Sequence, residues 1–161
     1  MAKNLDEVDR GILYLLQRDA RHTTAADIAE HVGVSASTVR NRIDRLEAEG
    51  VIEGYRPVVD YERASFPLRT MFVITAPPTE REEYGEKLME VDGVIGVREV
   101  LTGRRNVYAE VVGTLTSDIA RITDAIHELG LEIEDSDIVR KHRVQPFNHL
   151  FFQSALEDSG R

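Results

Sequence analysis

The chain contains no cysteine among its 161 residues. A disulfide framework, a thiolate nucleophile and a cysteine-bound zinc ion are therefore excluded. No apolar run approaches the roughly 18 residues that a membrane-spanning helix needs. The first residues also lack the apolar stretch and small-residue cleavage site of a signal peptide. These absences lead us to expect a soluble, cytoplasmic protein.

Short motifs of several large enzyme classes are missing as well. The sequence contains no P-loop, no Gly-x-Gly-x-x-Gly and no Gly-x-Ser-x-Gly, which are the motifs of nucleotide-binding proteins and of α/β-hydrolases. Its five histidines show no metal-ligand spacing such as His-x-x-x-His. We therefore expect no catalytic residues, no metal site and no cofactor.

Acidic side chains are in excess, with 29 Asp and Glu against 20 Lys and Arg and a net charge of −9. This balance argues against a protein that coats nucleic acid nonspecifically. Residues 1–50 carry 7 basic and 9 acidic side chains, whereas residues 51–161 carry 13 and 20. The acidity of the second half indicates either an ordinary solvated surface or the composition of an organism that lives at high salt.

Three helices are predicted at the start of the chain. An apolar stripe of 3.6-residue period runs from Leu5 to Ala20, and a second helix begins after Thr24, whose hydroxyl is placed for a capping box with Asp27. Gly33-Val34-Ser35 then forms a tight turn, and the third helix runs to Glu49. Two helices joined by a short glycine-bearing turn are typical of a helix-turn-helix motif.

The third helix has the two faces that a DNA-reading helix needs. Val39, Ile43 and Leu46 lie on one side and are predicted to face the core. The opposite side offers hydroxyls and an amide for base edges, and arginines for phosphates or guanine. A solvated helix face with ordinary charges is the alternative interpretation. The predicted DNA-binding residues are Ser35, Ser37, Thr38, Arg40, Asn41, Arg42 and Arg45, of which Ser37, Thr38 and Asn41 are expected to choose the bases.

Residues 51–60 alternate enough to predict a strand, which would be the wing beside the three helices. Residues 61–67 lose periodicity and are predicted to link two domains. Two β-α-β rhythms follow, with strands at 70–76, 94–101, 107–112 and 131–143. The first helix is expected to start with a capping box of Thr79 and Glu82, and the second to start at Ser117. The order βαββαβ is that of a ferredoxin-like sheet with two helices on one face.

The predicted fold class is therefore α+β, with an N-terminal (winged) helix-turn-helix domain followed by a ferredoxin-like βαββαβ domain. The predicted boundaries are 1–60 for the first domain, 61–67 for the linker, 68–143 for the second domain and 144–161 for a C-terminal tail. A sheet with one bare face needs a cover, and a second copy of the chain would provide it, so we expect at least a dimer. The aromatic tail at 144–152 is expected to pack on the sheet or on a neighbouring subunit.

Five short motifs stand in the first 52 residues: Leu5-Asp6-x-x-Asp9-x-x-Ile12-Leu13, Ile28-Ala29, Val32-Gly33-Val34-Ser35, Thr38-Val39-x-x-Arg42-Ile43 and Leu46-Glu47-x-x-Gly50-Val51-Ile52. Together they closely resemble the opening domain of the Lrp/AsnC, or feast/famine, family of transcriptional regulators. The resemblance extends more weakly over residues 68–143, which are similar to the effector-sensing domain of that family. It implies a homodimer that can assemble to an octamer, binds promoter DNA, and responds to an amino acid or related metabolite. Such a dimer is expected to read a near-palindrome.

The same resemblance places an effector near the loop between the second and third strands. Many relatives carry an aspartate where this chain has Asn106, and here two arginines precede that position. A cationic loop favours a carboxylate or phosphate over a free amino group, so the sequence predicts an acidic metabolite or no effector at all. Two solvated turn arginines are the alternative interpretation. The predicted effector-binding residues are Thr102, Gly103, Arg104, Arg105 and Asn106.

Two other functions remain open at this point. Some haem-pathway decarboxylases share this two-domain architecture, so an enzyme with a vestigial DNA-binding half is one alternative. A ligand-binding module that does not contact DNA is the other. The polar and arginine-rich face of the third helix favours the regulator, because an enzyme that does not bind DNA would have no use for it.

Overall fold

The computed structural model describes residues 5–146. The chain forms two compact units, one made by residues 5–57 with residues 143–146 and the other running from Val58 to His142. The first unit contains the helices α1 (Glu7–Asp19), α2 (Ala25–Val32) and α3 (Ala36–Ala48). The second contains β1 (Leu68–Thr75), α4 (Arg81–Met89), β2 (Val94–Glu99), β3 (Val107–Gly113), α5 (Thr116–Glu128) and β4 (Glu132–Ile138). The predicted α+β fold class is confirmed.

Local capping fixes where the three N-terminal helices begin. Asp6 caps α1 and Thr24 caps α2, each in a capping box with the acidic residue three positions later. Gly33 ends α2 with a φ of 71°, in the left-handed region that glycine adopts without strain. The helix-turn-helix predicted from these signals is confirmed.

The core of the first unit is made by the apolar stripes of its three helices. Ile12, Ile28, Val39 and Leu46 are fully buried, and Ile43 and Ile52 pack against them. Burying one such side chain stabilises the fold by about 1.5–3 kcal/mol. This core therefore holds α3 with its apolar side inward.

The predicted strand at 51–60 is wrong, because no strand is formed there. The backbone N–H groups of Val51 and Ile52 donate instead to the carbonyl of Leu46, and so close the C-terminal end of α3. Gly54 has a φ of 156°, and Pro57 has no N–H to donate. These features leave the segment without a partner strand among the described residues.

The second unit is a four-stranded antiparallel sheet of order β2-β3-β1-β4. This order and the succession βαββαβ confirm the ferredoxin-like arrangement. Phe72, Ile74 and Val111 are buried together with Leu88 of α4 and Ile122 of α5. Both helices therefore lie on one face of the sheet.

Several predicted boundaries in this unit are wrong by a few residues. The turn over Pro77 to Glu80 delays α4, so Glu80 occupies the N-cap position without a side-chain hydrogen bond and Thr79 does not cap the helix. β2 ends at Glu99 and β4 at Ile138, before the predicted Leu101 and Arg143. The helix predicted to open at Ser117 begins at Thr116.

Among residues 5–146, none of the helices combines the length and the apolar composition that spanning a bilayer requires. The first compact unit gives way to the second between Pro57 and Val58, a few residues before the linker that was assigned from the sequence. The division into four segments that was assigned from the sequence stays a prediction. Most of the tail predicted to pack at 144–152 lies outside the described residues.

Candidate nucleic-acid interface

Three hydroxyls gather at the N-terminal turn of α3. Ser35 Oγ accepts a hydrogen bond from the Thr38 backbone N–H at 3.1 Å, and it lies 2.8 Å from Thr38 Oγ1 and 2.9 Å from Ser37 Oγ. The first turn of α3 contains no acidic residue, whereas the other four described helices each have at least one there. The positive end of this helix dipole is therefore open to an anion such as a phosphate.

The outer face of α3 is accessible to solvent within the chain. Ser37, Arg40 and Asn41 are exposed and Thr38 is half-buried, while Val39 on the opposite side is completely buried. Arg40 makes no ion pair with any residue in the range 5–146. The outer face thus presents a hydroxyl, an amide and a free cation next to one another.

The other two arginines of α3 have partners inside the unit. Arg42 Nη1 lies 3.0 Å from Asp9 Oδ1, and Arg45 Nη2 lies 2.6 Å from the same oxygen. Asp9 is only 2% exposed, so a single buried carboxylate on α1 binds two guanidinium groups of α3. The sequence assigned both arginines to DNA. That assignment stays a prediction, and these ion pairs argue against it.

Asp6 completes this cluster at the start of α1. Its carboxylate accepts from Arg42 Nη1 at 2.6 Å and from the backbone N–H of Asp9 at 2.9 Å. The Asp9 N–H, followed by Arg42, lowers the pKa of Asp6, and the hydrogen bonds that Arg42 donates to Asp6 and Asp9 raise the pKa of Arg42. We call Asp6, Asp9, Arg42 and Arg45 the carboxylate clamp. Its two negative and two positive charges balance.

Tyr55 ties the segment after α3 back to that helix. Its hydroxyl donates to Glu47 Oε1 at 2.8 Å. Burial, together with this hydrogen bond, raises the pKa of Tyr55 to about 12. Glu47 is therefore engaged within the unit at the far end of α3.

The loop proposed for an effector connects β2 to β3. Arg104 and Arg105 each approach the Glu134 carboxylate on β4, at 3.4 and 3.5 Å, and Arg105 also lies 3.5 Å from Asp135. A hydrogen bond from the Thr75 hydroxyl, at 2.5 Å, and the two arginines lower the pKa of Glu134. The two arginines are thus balanced by two carboxylates rather than left as free cations.

Asn106, at the end of the same loop, is 3% exposed. Its side-chain oxygen accepts from the Ala76 N–H at 2.9 Å, and its side-chain nitrogen donates to the Ala76 carbonyl at 2.8 Å. This pair of hydrogen bonds fixes the end of β1 against the start of β3. Thr102 and Gly103 are exposed in the loop. Among residues 5–146, no three His, Asp or Glu side chains gather closely enough to hold a metal ion.

Comparison with known proteins gives matches over the first unit and over a longer part of the chain. The family model described as winged helix-turn-helix DNA-binding matches residues 5–53. An uncharacterized HTH-type transcriptional regulator of Pyrococcus abyssi is 36% identical over 110 residues, which cover 66% of each chain. This chain therefore spans just under two thirds of that relative's length.

A second relative is matched over nearly its full length. The HTH-type transcriptional regulator LysM of Sulfurisphaera tokodaii is 34% identical over 137 residues, which cover 84% of this chain and 95% of LysM. The chain belongs to the Lrp/AsnC family of transcriptional regulators. Its first unit is the helix-turn-helix DNA-binding domain of such a regulator.

A solved member of the Lrp/AsnC family has the same fold. The crystal structure of the leucine response regulatory protein LrpA of Mycobacterium tuberculosis superposes with a TM-score of 0.75 and 24% identity. The match covers 90% of this chain and 99% of LrpA. The two-unit architecture is therefore that of this regulator family.

Sequence reasoning missed Asp6 and Asp9 as members of the site. Both acids stand in the motif that carries the Lrp/AsnC resemblance, but neither is among the predicted DNA-binding residues. A signal was present, because Asp9 falls on the same apolar side of α1 as Ile12, where a carboxylate must find a cation or remain an unpaired buried charge. Which cation it finds depends on how α1 and α3 pack.

Proposed function

We propose that this chain binds promoter DNA through the outer face of α3 and thereby regulates transcription of nearby genes. The observation that carries the proposal is the exposed row of Ser37, Arg40 and Asn41 beside a helix N-terminus free of acidic residues. A side chain with both donor and acceptor groups can pair with a base edge in the major groove. The helix N-terminus favours a phosphate.

Individual residues take different roles in this proposal. Ser37, Thr38 and Asn41 contact base edges, with Asn41 the best placed for a bidentate contact to adenine. Arg40 contacts a phosphate and supplies affinity on every sequence. Ser35 orders the first turn so that the backbone N–H groups of α3 meet the DNA backbone.

The test is a selection of bound duplexes from sheared genomic DNA, followed by anisotropy on one selected 30-base-pair duplex and one scrambled duplex. The proposal expects the wild-type protein to prefer the selected duplex by about 10³-fold or more. It expects Asn41→Ala to reduce this preference by about ten-fold or more, since a good bidentate base contact contributes about 1–3 kcal/mol of discrimination. Equal binding of both duplexes by the wild-type protein would contradict the proposal.

Two copies of the chain are proposed to act together. The edge strand β4 exposes 81% of Ile138, and exposed apolar groups on an edge strand favour pairing with another chain. Two recognition helices about 34 Å apart would read a near-palindrome in successive major grooves. Light scattering after size exclusion should give at least twice the chain mass of 18.2 kDa. A monomer at micromolar concentration would contradict this proposal.

An amino acid or acidic metabolite is proposed to tune assembly or affinity from the loop at 102–106. The ion pairs of Arg104 and Arg105 with Glu134 reduce the local positive charge, so an anionic effector would have to displace a carboxylate. Calorimetry with the twenty amino acids and with common organic acids tests this. Loss of binding in the Arg104→Ala, Arg105→Ala double variant supports the loop as the site, and unaltered affinity contradicts it.

The regulator is proposed to work in the cytoplasm and without catalysis. The haem-pathway decarboxylase and the ligand-binding module without DNA contact remain the competing functions. A new absorption band on adding a tetrapyrrole substrate would favour the decarboxylase. Effector binding with no preference among duplexes would favour the ligand-binding module.

A further inference from the structure

We propose that Asp9 is the positioning residue of the recognition helix: it fixes α3 through Arg42 and Arg45 and withdraws both cations from DNA. Discrimination between sequences then depends on a buried acid of α1 that touches no base. This inference rests on the proposed function, because it concerns how α3 is presented to a duplex.

Asp9 contacts α3 at Arg42 and Arg45, which lie about one helical turn apart. Arg42 and Arg45 are three residues apart and share Asp9 Oδ1, at 3.0 and 2.6 Å. Asp9 also accepts from the Asp6 backbone N–H at 3.3 Å, and so belongs to the capping box of α1. A helix held at two neighbouring points on one side can neither rotate nor slide against its partner without breaking a contact. Asp9 therefore sets both the rotation and the height of α3 relative to α1.

Arg42 and Arg45 each lie one helical turn after a residue that is proposed to read a base. Thr38 is one helical turn before Arg42, and Asn41 is one turn before Arg45, so each pair lies on a common stripe of α3. A rotation of α3 at the clamp would swing Thr38 and Asn41 by the same angle. Base contacts depend on such angles far more than phosphate contacts do, because they need paired donor and acceptor geometry.

The orientation of Arg45 supports inward engagement of this cation. Its Nε is buried and has no hydrogen-bond partner among the described residues, while its Nη2 is bound to Asp9. An arginine aimed at the groove would keep all its N–H groups in solvent. Leaving one N–H buried and unpaired is unfavourable, so the attraction of Asp9 must outweigh it.

The balance of charges supports the second half of the proposal, that Arg42 and Arg45 are withdrawn from DNA. The carboxylate clamp has no net charge and Arg40 is unpaired within the described residues, so Arg40 is the α3 arginine left to attract phosphate. Each phosphate neutralised by a protein cation adds about 0.9 to the slope of log affinity against log salt. The clamp arginines should therefore add nothing to that slope in the wild-type protein.

The first arm of the test is Asp9→Asn, measured by anisotropy on a genome-selected duplex and on a scrambled duplex at several salt concentrations. The side chain keeps its size but loses its charge, so Arg45 loses its carboxylate partner and gains freedom to reach a phosphate, while Arg42 keeps its contact with Asp6. We expect the preference for the selected duplex to fall at least ten-fold, binding of the scrambled duplex to hold or strengthen, and the salt slope to steepen by about one. A purely structural role would lower both affinities in parallel with an unchanged slope, and that result overturns the proposal.

The second arm decides the question if Asp9→Asn does not fold. Arg45→Gln removes a cation but keeps an N–H donor for Asp9, and Arg40→Gln is its matched control on the outer face. We expect Arg40→Gln to lower the salt slope by about one and Arg45→Gln to leave the slope unchanged. Equal losses of slope in the two variants would mean that Arg45 contacts phosphate, and would overturn the proposal.

Failure of the proposed function gives a different pattern. If neither Arg40→Gln nor Asn41→Ala alters binding, α3 does not read DNA and the proposed function fails. If both alter binding as expected but Asp9→Asn leaves preference and slope unchanged, only the positioning role of Asp9 fails.

Discussion

Asn106 lies in the loop predicted to bind an effector, but its side chain has a structural role. Its side chain uses both its donor and its acceptor on the backbone of Ala76. An aspartate at this position could accept from the Ala76 N–H but could not donate to the carbonyl. The asparagine at this position is thus explained by hydrogen bonding in this chain, without reference to a ligand.

The variant Asn106→Asp should be destabilised by about 1–3 kcal/mol, because it leaves the buried Ala76 carbonyl without a donor. Urea unfolding at pH 7 measures this. The matched control is Arg105→Gln in the same loop, which removes two long ion pairs of a half-exposed side chain and should cost less than about 1 kcal/mol. Equal unfolding midpoints for the two variants would contradict the structural role of Asn106.

Asp6 makes a pH-dependent contribution of defined sign. Its pKa is lowered in the folded chain from the ordinary 3.8, so the unfolded chain takes up its proton more readily. The contribution is therefore present above about pH 3.8 and is lost as the pH falls through the lowered pKa. Asp6→Asn, which keeps a good N-cap, should be less stable than wild type at pH 7, with a difference that shrinks below pH 4. A difference in unfolding free energy that stays constant from pH 7 to pH 3 would contradict this.

At the scale of single helices and strands, the features predicted correctly from the sequence are those that are fixed by residues close by in the chain. Thr24, Gly33 and Ser35 act within four residues of their own position, and the predicted helix starts and stops there are close to the observed ones. The strand predicted at 51–60 failed because a strand needs a partner, and alternation alone cannot supply one. The ion pair of Arg45 with Asp9 was not predicted for a related reason, because the two residues lie 36 positions apart in the chain.

The N-terminal turn of α3 provides a test at this scale. Ser35→Ala removes the hydroxyl that accepts from the Thr38 N–H and should destabilise the first unit by about 1 kcal/mol. Ser37→Ala is the control, because Ser37 is exposed and does not cap the helix, and it should change stability by less than about 0.5 kcal/mol. Both variants are compared by thermal unfolding. Equal shifts in Tm would show that Ser35 is not the cap that orders α3.

At the scale of the whole molecule, charge decides where DNA can bind. The net charge of −9 repels a duplex in general, and most of the excess lies after residue 50. Within the first unit, the carboxylates of Asp6 and Asp9 neutralise two of the three α3 arginines. Under the proposed function, DNA affinity comes from a small number of local contacts on α3, and it should fall less steeply with salt than it would for a basic protein.

The salt dependence of DNA affinity in Arg40→Gln tests the central claim most directly. The control is Arg121→Gln on α5, a half-exposed arginine paired with Asp92 in the second unit. We predict that Arg40→Gln weakens binding to every duplex and lowers the salt slope by about one, while Arg121→Gln leaves the slope within error of wild type. Unchanged affinity and slope in Arg40→Gln, or equal losses in both variants, would contradict the account that the outer face of α3 binds DNA.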